Sequence, residues 1–428
     1  MTSGPVTPEI FAELARTRPL PVVTVALRAA LHARRMLLLK SLLVRVERRH
    51  DALPPAVRRG FEEDWALLER AERADPAAVR EVLDYPTTGS WLAELLAAPD
   101  GPAFEERLDR LGGVAVAAAL RAGCRFTLTR PLPTGTLSLP GIGLLRCAPG
   151  PARLSGRAGV VRLTDSAGGT VLLSGAAPDV LGPRRAPHGP PVWSALHRLP
   201  GSAAVLDDVD PYRVPPGGIG PAALPGAEHP YSDHLAWATR WRDALALLVT
   251  TQPGRAAETT ALVRSVVPLT PPAGAGTPMS ATLRTAPGAV LTQLPADRRD
   301  LAELLVHETH HTKLAVLDEL VPLRRPGGGG TLHRVGWRRD PRPVSGVLQG
   351  AYAHLALMDL WWRARTGPGG DRTWGRRAAE RFEVHRGQVG QALSVLSDSD
   401  ELTPEGREFV RTMGAHHGSL GVTARQFG

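Results

Sequence analysis

Residues 296–320 read ADRRDLAELLVHETHHTKLAVLDEL. Apolar residues recur through this stretch at three- and four-residue spacing, the period of one helix face. Asp297 stands where an N-cap belongs, just ahead of the first apolar residue. Pro322 and the run Gly327–Gly330 close the segment. The pattern predicts a long helix, and within it lies an H-E-x-x-H: His307, Glu308 and His311. On a helix, positions i and i+4 lie one turn apart on one face, so the two imidazoles can converge on one metal ion. Glu308 lies about 100° round the helix, where zinc peptidases place the residue that takes a proton from metal-bound water. With 14 histidines in 428 residues, chance supplies only about 0.03 such matches. His310 lies off the shared face and reads as a bystander or a supporting group.

A peptidase needs a third protein ligand. The extended form of the motif requires glycine and histidine at positions that are Leu314 and Leu317 here. The other common form takes a glutamate from a following helix, yet no glutamate occurs between Leu320 and Ala379. His354, in the small and apolar stretch GAYAHLALMDLWW, is the best-placed third ligand, with Asp359 next and Asp340 in a nearby loop. Three protein ligands leave open positions, and on iron(II) these can receive a 2-oxo acid and dioxygen. The distal carboxylate of such a cosubstrate calls for a guanidinium, which grips a carboxylate through two parallel bonds. Arg342 in DPRPVSG fits that role, with Arg338 and Arg339 behind it.

Outward from the motif, the chain divides by texture. Residues 1–130 read as helical. Residues 131–230 hold short β-type runs between Gly/Pro turns, ending in a linker. Residues 231–428 alternate helix and strand and carry the metal-binding motif. The expected class is α+β and mostly helical, with a helical N-terminal region, a small β-rich middle segment and a C-terminal metal-binding helical domain with a small sheet. TTALVRSVVPLTP reads as a strand. The acidic turn LDDVDPYR (Asp207, Asp208, Asp210, Arg213) reads as a salt-bridged turn before it reads as a metal or peptide site. Trp361 and Trp362 read as core, and Gly327–Gly330 as a lid or a tolerant linker.

The hydrophobic share of 43% and charged share of 22% are those of a globular chain. The 45 glycines and 40 prolines point to many loops. The two cysteines, Cys124 and Cys147, read as reduced thiols of a cytoplasmic protein. The first residues lack the basic-then-apolar pattern of a signal peptide, and no apolar window of about 18 residues marks a membrane span. The net charge of +9 comes almost wholly from arginine, since Lys40 and Lys313 are the only lysines. These arginines are interleaved with acids rather than gathered into a stripe, which argues against nucleic acid and leaves an anionic substrate open.

The segments LLVHETHHTKLAVLDELVPL, GWRRDPRPVSGVLQGAYAHLALMDLWWRAR and LTPEGREFVRTM, with LHRLPGSAAVLDDVDPYR upstream, resemble the HExxH-motif family of 2-oxoglutarate-dependent peptide β-hydroxylases. The resemblance covers roughly residues 190–415. It implies an oxidoreductase that uses iron(II), dioxygen and 2-oxoglutarate to hydroxylate the β-carbon of a residue in a ribosomally made precursor peptide. It implies as partners that peptide and a radical peptide-crosslinking enzyme of the same pathway. His307, Glu308 and His311 occupy the family's motif, His354 its later helix and Arg342 its DPRP loop. In this reading Glu308 supports a ligand or a water. The competing reading is a zinc-dependent metallopeptidase with Glu308 as general base.

Overall fold

A computed structural model describes residues 6–174, 192–271, 279–327, 330–367, 373–374 and 376–421. The N-terminal region is a run of helices: α1 (Pro8–Ala15), α2 (Pro21–Arg48), α3 (Pro55–Ala74), α4 (Pro76–Leu83), α5 (Pro86–Ala97), α6 (Pro102–Leu108) and α7 (Arg110–Arg121). Six of these seven start on proline, where its missing N–H and fixed φ cost nothing. Part of the high proline content thus marks helix starts and not loops.

Strands follow. β1 (Phe126–Leu132) pairs with a later meander of β4 (Gly150–Arg157), β5 (Val160–Thr164) and β6 (Thr170–Ser174) in an antiparallel sheet ordered β1-β4-β5-β6. β2 (Thr136–Leu139), β3 (Gly143–Arg146) and β7 (Val192–Ala195) make a second antiparallel sheet. A third, mixed sheet is ordered β11-β12-β10-β9-β8 and joins β8 (His197–Arg198), β9 (Val205–Leu206), β10 (Ser265–Pro268), β11 (Ser280–Ala281) and β12 (Ala289–Thr292). Between β9 and β10 run α8 (His234–Thr251) and α9 (Pro253–Leu262). The remainder is α10 (Arg298–Leu320), the small ribbon β13 (Leu332–His333) and β14 (Arg342–Pro343), then α11 (Val344–Thr366), α12 (Arg377–Ser397) and α13 (Pro404–Ser419). The chain is α+β and mostly helical, as its sequence predicts.

One strand is shorter than expected. Thr259–Leu262 belongs to α9, and only Ser265–Pro268 is β. Thr260 is tolerated in the helix because its hydroxyl bonds back to the Ala256 carbonyl at 3.0 Å. Gly328 and Gly329 lie outside the described residues. Cys124 and Cys147 are free thiols. Among the described residues no helix is long and apolar enough to cross a membrane.

Two large cores, beside two small clusters, divide most of the described residues, and they do so inside α2. Its first half (Val23, Leu27, Ala30) packs with α1 and the helices from α8 onward. Its second half (Leu39, Leu42, Val46) packs with α3–α7 and the two antiparallel sheets. One long helix can serve two cores because an apolar stripe is local to each turn. Composition alone places a boundary near residue 130, which falls within the second core. That core also holds a buried charge group. Arg130 donates to Asp64 and, at 2.9 Å, to Asp109 Oδ1. Gly112 makes room for it: a Cβ there would sit 1.8 Å from the guanidinium carbon. Burial raises the Asp64 carboxyl to about 6, against the pull of Arg130.

The C-terminal core holds a titratable group with a direct stability consequence. Burial, followed by the nearby Arg18, Arg255 and Arg16, lowers His416 to about 4, although Asp359 pulls the other way. Unfolded, the same imidazole titrates near about 6.5. The unfolded chain therefore binds more protons between these values, and the stability held above about 6.5 is lost as the pH falls toward 4. A melting temperature followed from pH 7 to pH 4 is expected to fall less steeply in His416→Gln than in the wild type; equal slopes would show that His416 does not drive the loss.

Candidate metal centre

α10 starts where the sequence says it should. Asp297 caps it, accepting from the Arg299 N–H at 2.6 Å. The helix is buried on most sides, and its open side carries His307 and His311. Their rings stand 4.5 Å apart and nearly perpendicular, at 89°. Their Nε2 atoms face each other at 2.9 Å. His311 Nδ1 bonds the Gln349 side-chain oxygen at 2.9 Å. An amide oxygen only accepts, so Nδ1 carries the proton and Nε2 keeps its lone pair, the tautomer a metal needs. Burial, then the His311 ring, lowers His307 to about 4, so it is neutral at physiological pH.

His354 reaches the same wall from α11. Its ring lies 5.3 Å from that of His307 and stacks on Trp337 at 4.6 Å. Gly350 makes this stack possible, since a Cβ there would fall 2.4 Å from the Trp337 ring. His354 Nδ1 bonds His385 Nδ1 at 2.9 Å, and His385 Nε2 lies 3.5 Å from Glu303 Oε1. If Glu303 receives the His385 Nε2 proton, His385 Nδ1 accepts from His354, whose Nε2 is left with a lone pair. Burial opposes ionisation of Glu303, but the nearby His385 and the charge of Arg381 hold its carboxyl below the usual range. Burial and the neighbouring His307 and His385 push His354 well down, so it too stays neutral.

Glu308 is almost wholly buried. Its carboxylate accepts from Ser280 at 2.6 Å and from Thr282, both on the β11 side of the helix. Both oxygens are thereby engaged with protein hydroxyls.

His310 points away from the histidine pair into a sealed polar network. Its Nδ1 donates to the Val306 carbonyl at 2.7 Å, and Arg255 donates to its Nε2 at 2.9 Å. Arg255 also bonds Glu258 at 3.2 Å and Asp359 at 3.1 Å. Lys313 donates to Glu258. Asp359 therefore faces Arg255 and Gln252 rather than the histidine pair. Trp361 is core, packed edge-on to Trp374, and Trp362 lies against Phe382.

A cavity of about 630 Å³ opens over His307, His311 and His354. Arg284, Arg324, Arg338 and Arg342 line it, with Asp318. Arg338 and Arg342 both bond Asp340, at 3.2 and 3.0 Å. Arg339 is exposed and does not line the cavity; its neighbour Arg338 does. Asp340 serves as the partner of these two arginines. The turn and bend of this loop decide which of its side chains enter the cavity, which spacing from the motif could not reveal.

The acidic turn is built differently from its expected pairing. Asp210 accepts from Thr87 at 2.9 Å and from Arg110, while Arg213 donates only to backbone carbonyls, including that of Asp210. Asp207 accepts from the Tyr85 hydroxyl at 2.7 Å. Asp208 is buried between His229 and His234. Among the described residues, the group of three metal-capable side chains with donor atoms all within 4.8 Å of one another is His197, His229 and His234. The motif's own ready-made element is the pair His307–His311.

Sequence reasoning passed over Gln349, Ser280, Thr282, Glu303 and His385. Of these only Glu303 carried a signal, since it precedes His307 by one helical turn. The family models that were scanned give no match to this chain, and no curated protein matches it.

Proposed function

We propose that the protein is a non-haem iron(II)- and 2-oxoglutarate-dependent oxygenase that hydroxylates the β-carbon of a residue in a ribosomally made precursor peptide. The observation that carries this reading is Glu308. A hydrolytic base needs a basic carboxylate lone pair aimed at the metal-bound water, and Ser280 and Thr282 each donate to one oxygen of Glu308, which engages a lone pair on each and ties the carboxylate toward β11. The motif thus keeps its two ligands while its carboxylate, still at the cavity wall, is held by two hydroxyls, which favours the oxygenase over the zinc peptidase.

His307 and His311 would hold the metal, with His354 as third ligand through Nε2. Two nitrogens each about 2.1 Å from one ion stand about 3.0 Å apart at a right angle, and the paired Nε2 atoms here are 2.9 Å apart. Iron(II) when bound supplies the activation of dioxygen that couples decarboxylation of 2-oxoglutarate to hydroxylation. The protein's part is placement. Gln349 and the His385–Glu303 pair orient the ligands. The arginine-lined mouth favours a dicarboxylate, and Arg342 is the group that would grip its distal end. Trp337 covers one face of the His354 ring.

The test is oxygen-dependent conversion of 2-oxoglutarate to succinate by anaerobically loaded protein, with the precursor peptide gaining the mass of one oxygen. Cleavage of the peptide without oxygen would replace this reading with the hydrolase. Glu308→Gln adds a second discriminator: turnover is expected to stay within about tenfold of wild type, whereas loss of a general base costs about 10²–10⁴-fold. Arg342→Ala is expected to raise the KM for 2-oxoglutarate at least about tenfold, the worth of a charge-assisted bond, while Arg339→Ala leaves it unchanged.

A further inference from the structure

Three imidazoles from three separate segments meet away from the cavity. His197 lies on β8, His229 in a short turn (His229–Tyr231), and His234 is the first residue of α8. The rings of His197 and His234 stack at 3.8 Å, and those of His229 and His234 lie 4.8 Å apart. One nitrogen from each ring lies within 4.8 Å of the other two. Two ligands of one zinc ion, each about 2.1 Å away, span at most about 4.2 Å, so the nitrogens are near coordination range and the stacked His197 and His234 rings would turn out of their stack to share one ion.

The second observation is Asp208. Its side chain is 0% exposed. Its two oxygens accept from His229 Nδ1 at 3.0 Å and His234 Nε2 at 2.8 Å. With its proton on the Asp208 side, each ring would offer the other nitrogen, Nε2 of His229 and Nδ1 of His234, to an ion. A carboxylate fixing the tautomer and tilt of metal-binding histidines is the usual support of a zinc site. His197 stands at the exposed edge and completes the trio.

We propose that His197, His229 and His234 form a second metal site that takes zinc, with Asp208 orienting two of the three ligands. Imidazole nitrogen suits this ion, and three protein ligands leave one position to solvent. The site lies at the positive end of α8, which disfavours a cation. Asp208 and the α8 cap Asp233 bring the offsetting negative charge. Its role is structural. It clips β8 to the start of α8 across residues 199–233, a stretch with little regular structure apart from β9 and the turn holding His229.

This site is independent of the oxygenase reading, so its test removes the motif histidines. Untagged His307→Ala/His311→Ala protein, stripped with chelator and folded by circular dichroism, is titrated with zinc alone. One equivalent is expected to bind and to raise the melting temperature. Adding His197→Gln, an exposed position that the fold tolerates, is expected to abolish that equivalent and the shift. Asp208→Asn is expected to weaken zinc binding about 10–100-fold with the stoichiometry unchanged. The proposal is overturned if the double variant binds no zinc, or if His197→Gln leaves the bound equivalent and its affinity intact.

Discussion

Alanine at His307 or His311 is expected to take protein-bound iron to background and to abolish succinate formation with it. Each ring supplies one of two facing Nε2 atoms, and its loss leaves only the other motif imidazole and His354, too few to hold a divalent ion against solvent. Metal content after gel filtration and succinate release are the two readouts. His310→Ala is the control from the same helix. Its ring faces Arg255 and not the pair, so it is expected to keep the metal while lowering the melting temperature. Gln349→Ala tests the support, with a loss of about 10–100-fold in metal affinity expected from an unfixed His311 tautomer. Iron retained at wild-type level in His311→Ala would remove the motif from the metal site.

The largest stability effect is expected at Glu258→Ala. Glu258 is the shared partner of Lys313 and Arg255, all three nearly or fully buried. Burial pushes the Lys313 ammonium down, and Glu258 is the group that pulls it back up. Removing one partner of a buried pair leaves an uncompensated charge and costs about 3–5 kcal/mol. Here two cations lose it together, with only Asp359 left to face Arg255. Urea unfolding would show the midpoint move accordingly. A change below about 1 kcal/mol would mean that water or a rearranged Asp359 takes over the role. Replacing the whole group with apolar residues of matching volume is a different experiment, and its outcome is near neutral or stabilising in comparable sites.

Much of the fold was legible because its causes are local. The helix at α10 follows from apolar spacing and one capping aspartate, and both are where the sequence puts them. The motif pair needs only the helical period to face one way. Thr259–Leu262 shows the limit: β-branched residues suggest strand, but a back-bonded hydroxyl lets the helix run on. The arginine loop shows another. Arg338, Arg339 and Arg342 are equivalent as text, and only the path of the backbone lines the cavity with the first and third.

Helical period, cap chemistry and the mostly helical α+β class are properties of neighbours in the chain, and the sequence carried them. It also carried His307 and His311 as a pair, since four residues of helix suffice to align them. Partners far apart in the chain were decided by packing alone. Gln349 fixes His311 from another helix, His385 bonds His354 with Glu303 behind it, and Ser280 on β11 and the adjoining Thr282 occupy Glu308. His197, His229 and His234 have no motif spacing at all; three segments and the buried Asp208 bring them together. Such groups leave no periodic trace, because their geometry is set by how elements dock and not by distance along the chain.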